Sequence, residues 1–444
     1  MLTLLLACAG PPPGPDVVLV SLDTTRADVL DAETTPNLWA IAERGVRFTA
    51  AFAHAPTTLS SHASVWTGLD PHGHAVARNG YALDADLPVL PERLAAAGFD
   101  TLAVIGASAL ARPMGVDRGF RLWDETLDHV HQGKRYEARA AEVTDRALGV
   151  LGKRARGERA FLFVHYYDAH APYVAPAPWA TRWSDPAYTG TFDGTPRAMN
   201  ALAEGHRAGH VDPADIAELR ARYRGEVSYV DAELGRLLAT LDDPYVVVFG
   251  DHGEALGDVA DRPWGHGPDF DPPAVRVPLI VAGPGVPAKV IDTPVALSDV
   301  GPTVLALAGV AGPLGDGRDL AALWTGAPFA ERPIFLEATQ PRPVEEHTRW
   351  NNLRMERGAL RGDWLLLTAP WLGEAPTVAR WDAPAPSVTA PVTGAGRGDP
   401  SAPADIAEAL RTALSAWDAA APGPRGDEAD ERTKEGLRAL GYAD

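Results

Sequence analysis

The chain has 444 residues, enough for about three average domains, and its 46% hydrophobic and 22% charged content is that of a globular protein with a sizeable core. A formal net charge of -19 argues against nucleic acid as a partner, although an anionic small molecule can still bind in a locally positive, metal-bearing pocket. The single cysteine, Cys8, excludes an intramolecular disulfide framework and a cysteine-ligated zinc site.

The chain opens Met-Leu-Thr-Leu-Leu-Leu-Ala-Cys, an apolar run that resembles a bacterial lipoprotein signal in which the cysteine becomes the lipidated first residue. The run is shorter than a usual signal and lacks a basic leading region. On this reading residues 1–15 are signal and tether, the protein is exported to the periplasm or outer membrane, and its membrane contact is a lipid anchor on Cys8. No later stretch reaches the 18 or so apolar residues of a membrane span.

From residue 16 short apolar runs alternate with helical patterns. Strands are expected over Asp16–Leu22, Thr101–Gly106, Ala160–His165, Tyr245–Phe249 and Pro278–Ala282, and helices over Asn37–Arg44, Leu87–Ala97, Tyr136–Gly152 and Pro213–Leu241. The runs read as buried parallel strands, so the alternation predicts a wound α/β domain, with helices on both sheet faces, over residues 16–330. Residues 172–211, rich in Pro, Gly and Trp, read as a long ordered loop near the site entrance. Residues 331–444 read as a small C-terminal α+β subdomain: strand-like Ile334–Glu337 and Ala359–Thr368, a Pro/Ala/Gly-rich stretch over Ala383–Pro403, and helices over Ala404–Trp417 and Asp430–Leu440.

Polar residues collect where these strands end. Asp23 follows the first strand, Asp168 and His170 follow the strand ending near His165, and Asp251 and His252 follow Tyr245–Phe249. Open α/β sheets place their ligand crevice at these carboxyl ends. A strand-end Asp is more often a cap or turn former, but coincident caps on three strands would not concentrate Asp and His. Oxygen and imidazole donors without thiolate suit zinc or manganese, with calcium or magnesium less favoured. Thr58 stands before an expected helix running to Gly68, where free N–H groups and the helix dipole attract an anion. Alone it would read as a cap; beside a metal its hydroxyl becomes a nucleophile.

The segments Val17–Asp28, Thr35–Leu38, Pro56–Gly68, Pro71–Gly80, Asp168–Tyr173, Gly250–Gly257, Gly265–Gly267 and Arg276–Gly285 together resemble the sulfatase family of the alkaline phosphatase superfamily, and Leu437–Tyr442 fits its bacterial branch. The resemblance implies an alkaline-phosphatase-like wound central sheet flanked by helices. It also implies metal ligation by Asp23, Asp251 and His252, with Thr58 as nucleophile and further ligand. His170 and His266 match histidines that contact substrate or, with Asp168, a second metal, so one or two ions per chain are expected. His62 occupies a position where sulfatases carry arginine, and His62, His74 and Asn79 are expected to line the substrate pocket. His72, His131, His206, His210 and His347 read as solvated loop histidines.

Three departures bear on the chemistry. Sulfatases carry Cys or Ser, oxidised to formylglycine, at the position of Thr58, and a secondary alcohol cannot yield that aldehyde. The proline two residues later is Ser60, and the usual Asp-Asp pair is Asp23-Thr24. The four lysines, Lys134, Lys153, Lys289 and Lys434, all lie outside the nucleophile segment. Threonine here resembles the phosphoryl-handling relatives, which implies a phosphate- or phosphonate-ester hydrolase or transferase. A sulfuric ester hydrolase without formylglycine and a non-catalytic binder of an anionic envelope component are the alternatives.

Overall fold

The computed structural model describes residues 14–131, 134–155, 157–258, 262–267, 272–339, 355–368, 376–381 and 401–420. The expected helix over Asp430–Leu440, the Leu437–Tyr442 motif, Cys8 and His347 lie outside them, as does most of Ala383–Pro403.

A nine-stranded sheet forms the centre. Its strands are β1 (Val17–Leu22), β2 (Val46–Phe52), β3 (Asp100–Val104), β4 (Leu122–Asp124), β5 (Ala160–Tyr166), β6 (Tyr245–Gly250), β7 (Arg276–Ala282), β8 (Lys289–Ile291) and β9 (Val295–Ala296). The order is β8-β2-β7-β6-β1-β5-β3-β4, with β9 also paired to β2. β1 lies in the middle, parallel to both β5 and β6, so the carboxyl ends of these three strands open on one edge.

Helices cover both faces, as the alternation in sequence predicts. Val17 and Leu19 of β1 pack toward α2 (Thr58–Thr67) and α7 (Val300–Ala308). Val18, Val20 and Leu22 pack toward α1 (Pro36–Arg44), α4 (Ala140–Leu151) and α6 (Pro213–Leu238). Between these in sequence lie α3 (Leu90–Ala96) and α5 (Pro196–Arg207). Proline at the first turn starts α1, α5 and α6, where its missing N–H costs nothing.

All ten residues of α2 are buried, which makes it a core helix carrying a polar amino end. It stops at Gly68, whose φ of 68° is left-handed and whose Cβ, if present, would lie 2.0 Å from the Leu314 carbonyl oxygen. Glycine is required there for the close backbone approach as well as for the turn.

Three expectations need correction. Pro278–Ala282 falls in β7, which runs antiparallel to β6 and β2. A strand buried on both faces is apolar throughout, so its pattern does not encode direction. Residues 172–211 are not all loop: they contain α5, whose first turn is capped by the Thr195 hydroxyl accepting from Ala198 N. Ala359–Thr368 is a hairpin, Met355–Arg361 (β11) and Trp364–Thr368 (β12), rather than one strand.

These two strands join Ile334–Thr339 (β10) and Thr377–Arg380 (β13) in a four-stranded antiparallel sheet. Helix α8 (Ala404–Ala419) packs on it through Leu410, Leu414 and Trp417. Ile334, Leu336 and Ala338 meet Phe52, Val275 and Ala296 of the larger unit in one apolar cluster. His72 belongs to this junction and is not a solvated loop histidine: it is buried, stacked on Trp417 at 3.3 Å and bonded to Glu337 at 3.1 Å. His210 is exposed and His206 half-buried. No helix among the described residues is long and apolar enough to cross a membrane.

Candidate active site and metal centre

Asp23 is the first residue past β1 and Asp251 the first past β6, so the pairing of these strands brings the two carboxylates together. Asp251 Oδ1 accepts the N–H groups of Thr24 (3.1 Å) and His252 (2.8 Å). Thr24 holds a left-handed φ of 48°, a backbone cost of the kind found at ligand sites. β2 then delivers the chain to α2, whose first residue is Thr58. Thr58 Oγ1 lies 3.3 Å from Asp23 Oδ2 and 3.4 Å from His252 Nε2.

Asp23, Asp251 and His252 offer ligand atoms that all lie within 4.8 Å of one another, and all three residues are buried. Asp23 Oδ1 and Asp251 Oδ2 are buried with no hydrogen-bond partner, a costly state for a carboxylate unless a cation meets it. His252 Nδ1 donates to the Gly253 carbonyl at 3.0 Å, which leaves the Nε2 lone pair for a metal. His252 Nε2 stands 3.7 Å from Asp251 Oδ2 and 4.0 Å from Asp23 Oδ1. The donor set therefore fits a divalent cation, with Thr58 as the adjoining oxygen. Burial pushes Asp23 up to about 7, partly offset by His252, and burial together with Asp23 raises Asp251. Burial works to lower His252, but Asp251 and Asp23 outweigh it and raise the imidazole.

Two more imidazoles flank this centre. The His266 ring lies 4.4 Å from that of His252 and 5.1 Å from that of His170. His170 stacks on Tyr167 at 4.5 Å and donates from Nδ1 to the Ala171 carbonyl, which leaves Nε2 as an acceptor. Burial pushes His170 down to about 3, so it is neutral at ordinary pH. His266 Nδ1 faces both oxygens of Glu254 at 3.4 Å.

Asp168 does not join His170 and His266, and the three form no metal group among the described residues. Asp168 turns toward Arg139, 3.8 Å away, and Arg139 in turn approaches Glu226 of α6 at 4.0 Å. The physical reason is the reversal after β5, which sends side chains two residues apart in different directions.

Of the expected pocket residues, His74 and His62 are placed otherwise, and Asn79 stands beside the amino end of α2. His74 is buried beneath α2, with Nε2 bonded to Ser64 Oγ (3.0 Å) and Nδ1 accepting from Val76 N (3.1 Å), so both nitrogens serve the fold. His62 sits one turn along α2, behind Thr58, fully buried among Trp66, Phe163 and Phe249. Its Nδ1 donates to the Thr58 carbonyl at 2.7 Å. Asn79 caps the helix: its Oδ1 accepts Leu59 N–H at 2.7 Å, while its Nδ2 is buried with no partner. Ser60, in the place of the family's proline, bonds the Val76 carbonyl through Oγ at 2.7 Å, and α2 begins at Thr58.

Sequence reasoning missed His165 and Glu254, both fully buried beside the site. Glu254 lies within the Gly-Asp-His-Gly-Glu run already singled out. His165 follows Phe161 and Phe163 in strict alternation, which puts it on the face under α2.

The fold and this site define an alkaline-phosphatase-like α/β protein with a carboxylate–imidazole cluster of a kind that could hold a metal ion. Residues 15–310 match the sulfatase family, and the chain belongs to it. Among relatives, it is 23% identical over 347 residues to an uncharacterized sulfatase of Escherichia coli, covering 67% of this chain and 69% of that one. It is 24% identical over 385 residues to a choline-sulfatase of Rhizobium meliloti, covering 73% and 74%. In structure it is similar to a phosphonate monoester hydrolase from Silicibacter pomeroyi, with a TM-score of 0.68, 24% identity, and 91% and 95% of the two chains covered. A sulfatase-like protein from Bacteroides fragilis superposes with a TM-score of 0.69 at 17% identity, covering 94% and 98%.

Proposed function

We propose that this protein is a metal-dependent hydrolase or transferase of anionic esters that uses Thr58 as its nucleophile and prefers phosphorus esters to sulfuric esters. The observation that carries the reading is the position of Thr58 Oγ1 between Asp23 and His252, beside two carboxylate oxygens that lack partners. Asp23, Asp251 and His252 would hold a divalent cation, zinc or manganese preferred, which would lower the pKa of the Thr58 hydroxyl and offset charge on the transferred group. The Thr58 oxygen attacks phosphorus, the ester oxygen leaves, and a phospho-threonine forms. His170 and His266 flank the centre, and an arriving anionic ester raises both imidazoles, so that in the complex a protonated Nε2 binds a non-bridging oxygen or protonates the leaving oxygen. Water or an acceptor alcohol then resolves the intermediate. The threonine, which cannot become formylglycine, supports phosphorus over sulfur.

The test compares turnover of p-nitrophenyl sulfate, p-nitrophenyl phosphate, a phenylphosphonate ester and bis-p-nitrophenyl phosphate with zinc, manganese or calcium, for the wild type and Thr58→Ala. Phosphorus-ester turnover that vanishes in the variant is the expected result. Preferential sulfate turnover would place the protein with sulfatases that work through a changed nucleophile. Lipidation on Cys8 belongs to the same proposal, supported by the apolar run before it, and metabolic labelling with a fatty-acid probe in wild type and Cys8→Ala tests it.

A further inference from the structure

His165 lies near the end of β5, fully buried, with both ring nitrogens engaged. Nδ1 accepts Gly106 N–H at 3.4 Å, so Nε2 carries the proton and donates to Asp23 Oδ2 at 3.1 Å. This contact and Thr58 occupy Asp23 Oδ2, and Oδ1 is the oxygen left with no partner. The backbone at Gly106 is close enough to fix the imidazole because it carries no side chain. A Cβ there would stand 2.8 Å from the His165 carbonyl oxygen and 3.2 Å from Tyr167 Cβ.

His165, His62 and Asp251 also lie within ligand distance of one another. His62 Nδ1 donates to the Thr58 carbonyl and His165 Nε2 donates to Asp23, so these two nitrogens are committed to hydrogen bonds, while His62 Nε2 is buried with no partner. Both imidazoles form a layer behind the ligands.

We infer that His165 is a positioning residue for the metal centre: its Nε2–H holds Asp23 Oδ2 and thereby turns Oδ1 toward the cation. This rests on Asp23 being a ligand. A metal-ligating group is commonly held by an outer partner whose loss weakens metal binding about 10–100-fold. Here the ligand is the carboxylate and the outer partner the imidazole, and the same geometric reasoning applies.

The experiment measures zinc affinity by chelator competition for wild type, His165→Phe, His165→Gln and Asp23→Asn, with circular dichroism on each metal-free chain. Phenylalanine keeps the ring and removes the donor, and glutamine restores an N–H near the Nε2 position. The expected result is about 10–100-fold weaker zinc binding in H165F and, in H165Q, affinity within about 3-fold of wild type. Wild-type affinity in a folded H165F overturns the inference, as does equal loss in H165F and H165Q. If H165F does not fold, His165→Asn replaces it, since that amide is too short to reach Asp23; weak binding in H165N with strong binding in H165Q supports the role, and equal affinity overturns it. Asp23→Asn separates the two ideas. Wild-type zinc binding in D23N removes the metal reading itself, whereas weak binding in D23N beside normal binding in H165F removes only the positioning role.

Discussion

Asp168 is the residue whose environment makes the sharpest stability prediction. Its carboxylate and that of Glu226 are buried, and Arg139 approaches them only to 3.8 and 4.0 Å. Burial pushes Asp168 up to about 7 despite Arg139, and burial together with Asp168 raises Glu226 well above its ordinary value. A raised folded-state value means that the native protein holds the proton more tightly than the unfolded chain. The contribution is therefore fully present below the ordinary 3.8 and is lost as pH rises through about 7. At 1.36 kcal/mol per pH unit, the interval from 3.8 to about 7 corresponds to roughly 4 kcal/mol as an upper bound. Urea unfolding of wild type and Asp168→Asn at pH 5.5 and 8.5, with zinc in excess throughout, reads this directly. Wild type should lose stability between the two pH values, and D168N should lose less, by up to about 2 kcal/mol, because only the interval from 5.5 to about 7 falls within the assay window. The double difference cancels titrating groups distant from Asp168, Asp23 included, and retains any change in Glu226, which Asp168 helps to raise. Equal losses in the two proteins would refute the reasoning.

Other outcomes follow from the same geometry. Thr58→Ala should reduce turnover by several orders of magnitude while zinc affinity falls far less, because Asp23, Asp251 and His252 remain; parallel kinetics and isothermal titration check this. Asp251→Asn should lower zinc affinity at least 100-fold, since it removes an anionic ligand and keeps the Oδ1 contacts to Thr24 and His252, and atomic absorption after dialysis reads it. His74→Ala should leave KM unchanged but cost about 1–3 kcal/mol in urea unfolding, because a buried hydroxyl and a buried N–H lose their partner. Trp417→Ala should destabilise by about 3–5 kcal/mol and speed proteolysis in the C-terminal unit. The indole stacks on His72 and Phe335 and donates to Asp70 Oδ2 at 2.7 Å.

Much of the centre was legible in the chain. Asp23, Asp251 and His252 stand directly after apolar runs, and a wound sheet brings such positions together whatever the surrounding packing. Thr58 could be placed because Gly68 and the polar run before it mark the two ends of a helix. Periodicity and strand-end position thus determined the α/β class, the β1, β3, β5 and β6 strands and a set of strand-end polar residues, since both signals depend only on neighbours along the chain; the choice of Asp23, Asp251 and His252 from that set was implied by the sulfatase resemblance.

Tertiary structure alone decided the direction of β7, the turn of Asp168 away from His170 and toward Arg139, and the burial of His62, His72 and His74. It also decided that His165 meets Asp23, residues 142 apart in sequence. A side chain's partner depends on the rotamer and on the elements packed above it, and no local pattern carries that information. The same histidine spacing is compatible with a ligand, a cap or a core hydrogen bond until the sheet and its covering helices fix which atoms can touch.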